Sequence, residues 1–216
     1  MFTRDDQTVE DCLEVFEAIR DVGVRHLGLK DVGVEARVLA RLVERVKGAG
    51  ATSYLEVVST TPEACLRSAR TAVEIGVDRL LGGTAVESIL EIVAGRGVAY
   101  YPFPGRPEGH PTRLGGRPED IARDCRRFAR LGCAGVDLLA YRATEAAPLD
   151  LVRAARAATP GQLIVAGSVN TPARVRELRA AGADAFTVGS AAFDGSFSPR
   201  KGLLASQLRD ILAATR

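Results

Sequence analysis

Four segments of the chain repeat one pattern, in which a helical stretch is followed by a glycine and then by a short apolar strand. The segments are EAIRDVGVRHLGLKD, ARTAVEIGVDRLLGG, RRFARLGCAGVDLLAY and RELRAAGADAFTVGS, and their glycines are Gly23, Gly76, Gly132 and Gly182. The first two glycines, and again the last two, are roughly 50 residues apart, about twice the length of one strand-helix unit. Each copy therefore marks every second unit, and the repeat predicts eight strands.

The four remaining strands lie between the copies, in TSYLEVVS, VAYYPFPG and QLIVAGS, and at the start of the chain in MFTR. Strands that alternate with helices are typical of parallel sheets with crossover connections, and eight such units close into a barrel. We therefore predict an α/β fold, a (β/α)8 TIM barrel with a parallel eight-stranded barrel, as one domain over residues 1–216. The strands are expected at 1–4, 26–31, 52–58, 79–83, 99–103, 135–140, 162–167 and 185–190. The first strand is either short or begins upstream of Met1.

Three threonines mark expected helix starts. Thr8 is placed to cap the first helix, and the pairs Thr61-Pro62 and Thr171-Pro172 put proline at a first helical position. Proline is tolerated there because an N–H at that position has no partner within the helix. We expect a helix to follow each of these threonines.

The composition excludes several classes of protein. Apolar residues make up 46% and charged residues 26% of the chain, and the net charge is only +2. No stretch approaches the roughly 20 apolar residues of a membrane span, and the start MFTRDDQ is too polar for a signal peptide. We expect a cytoplasmic protein with no nucleic-acid or membrane partner. The four cysteines form no CxxC pair, so small buried thiols are favoured over a disulfide or a zinc site.

Two candidate catalytic residues follow from the rule that active sites of such barrels form at the C-terminal ends of the strands. Side chains alternate along a strand, so Lys30 of HLGLKD and Glu56 of TSYLEVVS face the barrel axis as neighbours. Lysine is rare in this chain, and a partly buried lysine can lose its proton and act as a base or form a Schiff base. The alternative is an inward ion pair of Lys30, with Glu56 or Asp137, that only holds the barrel interior.

Two aspartates accompany this pair. Asp137 of GVDLLAY alternates with the inward candidates Leu139 and Tyr141, and with Lys30 and Glu56 it would suffice for proton transfer beside a carbonyl. The alternative for Asp137 is a buried, hydrogen-bonded role. Asp31 is either a substrate-binding residue or a turn residue before the next helix. No cofactor is required, although these carboxylates are compatible with a divalent metal such as Mg²⁺.

The fifth loop, PFPGRPEGHPTRLGGRPED, is the longest connection, and loops of this length are often functional. Arg106, His110 and Arg113 are candidates for binding an anionic substrate across the barrel mouth, with His110 a candidate acid or base. The alternative is a solvated surface loop or an oligomer contact. Tyr141 and Arg142, at the end of the sixth strand, are further substrate-binding candidates.

The last two strands end in small residues, in VAGSVN and TVGSAAFDGS, which let the backbone approach an anion closely. The N–H groups of Gly167, Ser168, Gly189, Ser190 and Ala191 are expected to face one space; we call these five residues the phosphate cup. The two segments resemble the phosphate-binding TIM barrels of the ribulose-phosphate-binding type, a superfamily with sugar-phosphate epimerases, decarboxylases and aldolases. The resemblance implies that the cup binds the phosphate of a small substrate.

A second resemblance is local. LEVVSTTPEA followed by LLGGT is similar to the glutamate-bearing strand and the Gly-Thr loop of 2-keto-3-deoxy-6-phosphogluconate aldolases. It implies that Glu56 matches the glutamate of that family. Those aldolases carry their Schiff-base lysine on a later strand, and GVDLLAY contains none, so Lys30 would have to replace it.

These patterns give one leading hypothesis, an enzyme of carbohydrate metabolism that acts on a small phosphorylated sugar or keto acid. It would be an aldolase-type lyase or an isomerase or epimerase, and a homo-oligomer is compatible with either. The alternative is a non-catalytic sensor, in which the same cup binds a phosphorylated metabolite and the barrel signals to a partner. The inward Lys30 and Glu56 favour the enzyme, because a sensor needs no proton-transfer groups.

Overall fold

A computed structural model describes residues 1–59 and 61–215. Its strands are β1 (Thr3–Arg4), β2 (Gln7–Thr8), β3 (His26–Lys30), β4 (Thr52–Val57), β5 (Arg79–Gly82), β6 (Ala99–Tyr101), β7 (Arg106–Glu108), β8 (Arg113–Gly115), β9 (Gly135–Leu138), β10 (Gln162–Val165) and β11 (Ala185–Phe186). Its α-helices are α1 (Cys12–Ile19), α2 (Ala36–Gly48), α3 (Pro62–Glu74), α4 (Val86–Val93), α5 (Pro118–Leu131), α6 (Pro148–Ala158), α7 (Pro172–Ala180), α8 (Ser190–Phe193) and α9 (Leu204–Ala214). None of the described helices combines the length and the apolar character needed to cross a membrane.

Two parallel sheets, β3-β4-β5-β6 and β9-β10-β11, surround a common interior. On one side they are joined by the Asp137 N–H, which donates to the Pro102 carbonyl over 3.0 Å. On the other side the start of the chain lies between them: the Phe2 N–H donates to the Gly28 carbonyl over 2.6 Å, and the Met1 nitrogen donates to the Val188 carbonyl over 2.8 Å. Eight neighbouring segments with intervening helices result, which is the (β/α)8 architecture that the repeat predicts.

The first predicted strand differs from the other seven. Only its start bonds to both neighbours, because β1 turns back at Asp5 and Asp6 and pairs with β2 in an antiparallel hairpin. Both aspartates have positive φ, 50° and 59°. Aspartate is one of the few side chains that adopt this region with little penalty. The turn therefore lifts the Asp6 side chain over the C-terminal end of the barrel, a position that a simple strand over 1–4 does not predict.

Two of the three predicted helix starts are confirmed. Helices α3 and α7 begin at Pro62 and Pro172, and the Thr171 hydroxyl accepts a hydrogen bond from the first turn of α7. The prediction for Thr8 is wrong, because α1 begins only at Cys12 and Thr8 lies in β2. Thr8 instead bonds to the backbone of β3.

The Thr8 hydroxyl fastens the hairpin to the end of β3. It accepts a hydrogen bond from the Lys30 N–H over 2.8 Å and donates one to the Lys30 carbonyl over 2.9 Å. The Thr8 N–H donates to the Val32 carbonyl over 2.9 Å. These bonds fix the position of Asp6 relative to Lys30, since only Gln7 lies between Asp6 and Thr8.

The barrel has an outer and an inner apolar core, as the alternation along the strands predicts. The outward side chains pack with the helices in one large core that includes Leu27, Leu29, Leu55 and Val57. The inner core consists of Tyr54, Leu81, Tyr101 and Ile164. The Arg79 guanidinium lies 5.3 Å and 5.6 Å from the centres of the two tyrosine rings, a cation–π arrangement. This packing fills the N-terminal end of the barrel, so the open end is the C-terminal one.

The long fifth loop contains secondary structure that the sequence reading missed. Strands β7 and β8 pair antiparallel within it, from Arg106 opposite Gly115 to Glu108 opposite Arg113. The hairpin is tied back to the barrel by the Thr144 N–H, which donates to the Leu114 carbonyl over 2.9 Å. The loop therefore forms a second ordered wall beside the barrel mouth.

The close contact of β9 with β10 yields a stability prediction. A Cβ added at Gly135 would lie 1.9 Å from the Gln162 carbonyl oxygen, which belongs to the backbone and cannot move aside cheaply. We expect Gly135→Ala to lower the free energy of unfolding by about 3 kcal/mol, as overpacking does. The control is Gly48→Ala in α2, where a Cβ meets nothing within 4 Å; we expect no loss there. Urea unfolding of the parent and both variants measures these free energies. If Gly135→Ala is as stable as the parent, the close packing of β9 against β10 is wrong.

Candidate active site

Lys30 is surrounded by two carboxylates at the C-terminal end of the barrel. Its Nζ lies 3.1 Å from Glu56 Oε1 and 2.7 Å from Asp6 Oδ1. The three residues are 5%, 3% and 6% exposed, so these charges are held almost entirely out of water. Lys30 and Glu56 are adjacent because β3 and β4 pair in parallel with these two residues in register. The predicted neighbourhood of Lys30 and Glu56 is confirmed.

Asp6 joins this pair to a second cation. The Arg142 guanidinium binds the Asp6 carboxylate with two hydrogen bonds, Nη1 to Oδ2 at 2.5 Å and Nη2 to Oδ1 at 2.8 Å. A bidentate pair of this kind fixes both partners in orientation. The sequence reading overlooked Asp6, although two consecutive aspartates at the end of a first barrel strand were a signal for it. We call Lys30, Glu56, Asp6 and Arg142 the ionic cluster.

The cluster sets the protonation of its members. Burial opposes ionisation of Asp6, but the hydrogen bonds and charges of Arg142 and Lys30 outweigh burial and hold the pKa of Asp6 well below its usual range. Burial also opposes protonation of Lys30, but the charges of Glu56 and Asp6 outweigh it and raise the pKa of the amine. Lys30 is therefore an ammonium at neutral pH, which differs from the resting base or Schiff-base nucleophile expected from the sequence.

Asp137 lies beside the cluster with no partner for its charge. It is 0% exposed, and neither carboxyl oxygen has a hydrogen-bond partner among the described residues. Burial, and then the charge of Glu56, raise the pKa of Asp137 well above its usual range. The two cations of the cluster are already balanced by two carboxylates, so the structure favours a neutral carboxylic acid at Asp137.

A cavity of about 210 Å³ connects the ionic cluster with the phosphate cup. Its walls include all four members of the ionic cluster and all five residues of the cup, Gly167, Ser168, Gly189, Ser190 and Ala191. Asp137 is not part of the wall. A ligand with its phosphate in the cup would therefore have another part next to Lys30 and Glu56.

The cup depends on backbone that only small residues permit. Gly167 and Ser168 have φ of 76° and 58°, and a Cβ at Gly167 would lie 2.5 Å from Arg142 Nε. A Cβ at Gly189 would lie 2.4 Å from Thr3 Oγ1. The Arg174 guanidinium donates to the Ser168 carbonyl and holds the turn in place. Neighbouring atoms thus favour glycine at both positions, and at Gly167 the positive φ favours it as well.

Asp31 is used within the fold. Its carboxylate accepts a hydrogen bond from the Val58 N–H over 3.1 Å and one from the Ser68 hydroxyl over 2.5 Å. It does not line the cavity. These contacts fit the turn-residue alternative for Asp31, and its role in substrate binding stays a prediction.

The other substrate-binding candidates are dispersed. Arg106 is exposed and forms an ion pair with Glu145, and His110 is exposed at the tip of the β7–β8 hairpin. Neither lines the cavity, so for both the surface-loop alternative fits the structure better. Tyr141 does not face the barrel axis, because β9 ends at Leu138 and the chain turns into a short 3-10 helix. Arg142, in contrast, lies in the cavity wall.

Two expectations about bound ions and thiols can be compared with the described part of the chain. Within residues 1–59 and 61–215, no group of three or more His, Cys, Asp or Glu side chains is arranged to hold a metal ion. The Mg²⁺ option therefore has no support there. All four cysteines are free, and Cys12, Cys65 and Cys125 are buried.

Comparison with known proteins identifies the fold. No family model matches the chain, and no curated protein matches its sequence. Orotidine 5'-phosphate decarboxylase from Pyrococcus horikoshii OT3 is similar with a TM-score of 0.64 and 13% identity, over 94% of this chain and 92% of that one. A native KDPGal structure is similar with a TM-score of 0.69 and 15% identity, over 97% of this chain and 90% of that one. N-acetylmannosamine-6-phosphate 2-epimerase from Clostridium perfringens is similar with a TM-score of 0.64 and 11% identity, over 97% of this chain and 90% of that one. These likenesses to solved structures confirm the predicted (β/α)8 fold.

The neutral state of Asp137 leads to a pH prediction. Its native pKa is raised above the unfolded value of about 3.9, so above about pH 4 the native state holds a proton that the unfolded state has lost. Stability of the parent should therefore fall, relative to Asp137→Asn, as pH rises from about 4 towards neutrality. Urea unfolding of both proteins across this range measures the gap. Asp150→Asn, at an exposed position, is the control. If the stability of the parent relative to Asp137→Asn stays constant or increases as pH rises, native Asp137 is ionised in this range.

Proposed function

We propose that this protein is an enzyme that transfers a proton at the carbon beside the carbonyl of a small phosphorylated sugar, as an isomerase or epimerase does. The observation that carries the proposal is the single cavity in which the phosphate cup and the buried ionic cluster face each other. The similar solved structures include an epimerase and a decarboxylase with phosphorylated compounds in their names. This agrees with the proposal, although the fold alone is compatible with many reactions.

In the proposed reaction the cup binds the phosphate and places the carbonyl beside Lys30. The Glu56 carboxylate removes the proton from the neighbouring carbon, and the electron pair of the broken C–H bond moves to the carbonyl oxygen. The Lys30 ammonium stabilises the resulting enediolate by its charge and by a hydrogen bond. Protonation of the former carbonyl carbon, with the hydroxyl proton of the neighbouring carbon moving to the former carbonyl oxygen, gives an isomer. Protonation of the first carbon on its opposite face gives an epimer.

The charge state of Lys30 distinguishes this route from a Schiff base. A Schiff base requires a neutral amine, but two carboxylates at 2.7 Å and 3.1 Å stabilise the ammonium. An ammonium is suited to stabilising an oxyanion, because it carries its full charge before the reaction begins. The contacts of Lys30 therefore support proton transfer more strongly than the aldolase-type lyase that the local sequence resemblance suggests.

Anchoring by a remote phosphate fits this chemistry. Binding energy from a part of the substrate that does not react can hold the reacting carbon close to the base. The sensor hypothesis needs the cup but gives no reason for the ionic cluster, whose desolvation is costly. A buried lysine between two carboxylates at the wall of the ligand cavity is accounted for by the enzyme.

Deuterium exchange tests the proposed chemistry without knowledge of the product. Ribulose 5-phosphate and similar phosphorylated ketoses are incubated with the protein in D₂O and followed by proton NMR. We expect loss of the signal of a hydrogen next to the carbonyl for at least one of them. Glu56→Gln should slow this exchange about a thousandfold, because an amide cannot take the proton, whereas Glu91→Gln at an exposed site should not. Cleavage products, or a borohydride-trapped adduct on Lys30, would instead support a lyase.

A matched pair of substitutions tests the cup. Ser168 has a φ of 58°, and both Asp and Asn tolerate this region. Ser168→Asp places a negative charge in the cavity, whereas Ser168→Asn has nearly the same shape without the charge. We expect Ser168→Asp to weaken binding of inorganic phosphate at least about tenfold by isothermal titration, and Ser168→Asn to keep it within a few fold. Equal affinities for the two variants would mean that the phosphate binds elsewhere.

A further inference from the structure

A second groove opens beside the cavity, between the barrel mouth and the β7–β8 hairpin. Its volume is about 560 Å³, larger than that of the cavity itself. The two spaces share Asp6, Arg142, Ser168 and Ser190 in their walls. The two spaces therefore adjoin at these four residues, and the groove is large enough for several further atoms of a ligand that extends from the cup.

The hairpin side of the groove carries two polar groups without partners. Thr112 is only 3% exposed, yet its hydroxyl has no hydrogen-bond partner among the described residues. A buried hydroxyl in this state is costly, which marks a position where a ligand group would complete the bond. Arg113 also lines the groove, and it forms no ion pair within the described chain although Glu108 lies opposite it in the hairpin.

The charge balance of the groove favours an anion near Arg113. The Asp6 carboxylate is already bound by Lys30 and Arg142, so it presents little negative charge to a ligand. Asp5 is the opposing carboxylate in the wall, and like Arg113 it is exposed to water. Arg113 is the cation of this wall that no described carboxylate neutralises.

Another wall of the groove is rigid. The Tyr141 hydroxyl donates to Glu177 over 2.9 Å, and the Arg174 guanidinium lies 4.4 Å from the centre of the Tyr141 ring. Arg174 also holds the Ser168 carbonyl of the cup. Groove and cup therefore share a structural support, and a group bound in one has a fixed position relative to a group bound in the other.

We propose that this groove binds a second anionic group, a carboxylate or a phosphate, at the end of the substrate opposite to the phosphate in the cup. Arg113 binds the charge, and the Thr112 hydroxyl supplies a further hydrogen bond. The inference rests on the proposed function, since it takes the cup as the site of the first phosphate. It narrows the substrate class to phosphorylated metabolites with anionic groups at both ends.

Two pairs of ligands test this proposal by isothermal titration. 6-Phosphogluconate and glucitol 6-phosphate differ only in a terminal carboxylate, and fructose 1,6-bisphosphate and fructose 6-phosphate differ in a second phosphate. We expect the doubly anionic member of at least one pair to bind about tenfold more tightly. Arg113→Gln should abolish that preference and leave the affinity for the singly anionic member within about twofold. Arg96→Gln, the same change at an exposed residue outside both spaces, should leave the preference intact.

The outcomes separate this inference from the proposed function. Removal of the opposing charge by Asp5→Asn should strengthen binding of the doubly anionic ligand. If the singly anionic ligands bind and the second anion adds nothing in either pair, the groove proposal is wrong while the cup stands. The same holds if Arg113→Gln keeps the preference. If none of the four ligands binds, both the cup and the groove proposals are wrong.

Discussion

The Asp6 carboxylate accepts hydrogen bonds from two cations, Lys30 and Arg142, and the C-terminal end of the barrel is organised around it. Its position comes from the terminal hairpin, which Thr8 ties to the end of β3. Arg142 in turn packs against Gly167 of the phosphate cup. A single side chain from the first eight residues thus links the start of the chain, the lysine of β3 and the loop after β10, which are far apart in sequence.

The two ends of the barrel interior show how polar groups are accommodated without water. At the N-terminal end, Arg79 lies between two tyrosine rings and bonds to Gln162, and the space is filled. At the C-terminal end the buried charges are compensated by one another, and the space above them is open. Removing one member of such a cluster leaves an uncompensated buried charge, which costs more than the intact cluster contributes. A ligand that enters the cavity meets charges that are already oriented, so little reorganisation is needed when it binds.

The sequence was sufficient to predict the fold and part of the site. The residues that it failed to predict share a physical reason. Periodicity placed Lys30 and Glu56 side by side, because parallel pairing transmits the alternation of one strand to the next. It failed where the backbone leaves the strand: the reversal at Asp5–Asp6 concealed Asp6, and the end of β9 at Leu138 turned Tyr141 away from the axis. The hairpin inside the fifth loop has strands of three residues each, too short to show a pattern. The single domain, the cytoplasmic location and a homo-oligomer stay predictions.

The charge state of Lys30 illustrates a further limit of residue-by-residue reading. Burial alone would lower the pKa of a lysine and favour a nucleophilic amine. Two neighbouring carboxylates reverse the direction, and one of them, Asp6, belongs to a turn that no periodic pattern announces. The protonation state of Lys30 thus depends on a contact between residues 24 positions apart. If Asp6 were absent, Arg142 would lose its bidentate partner and Lys30 would keep only Glu56, so both the shape of the cavity and the acidity of its central amine would change together.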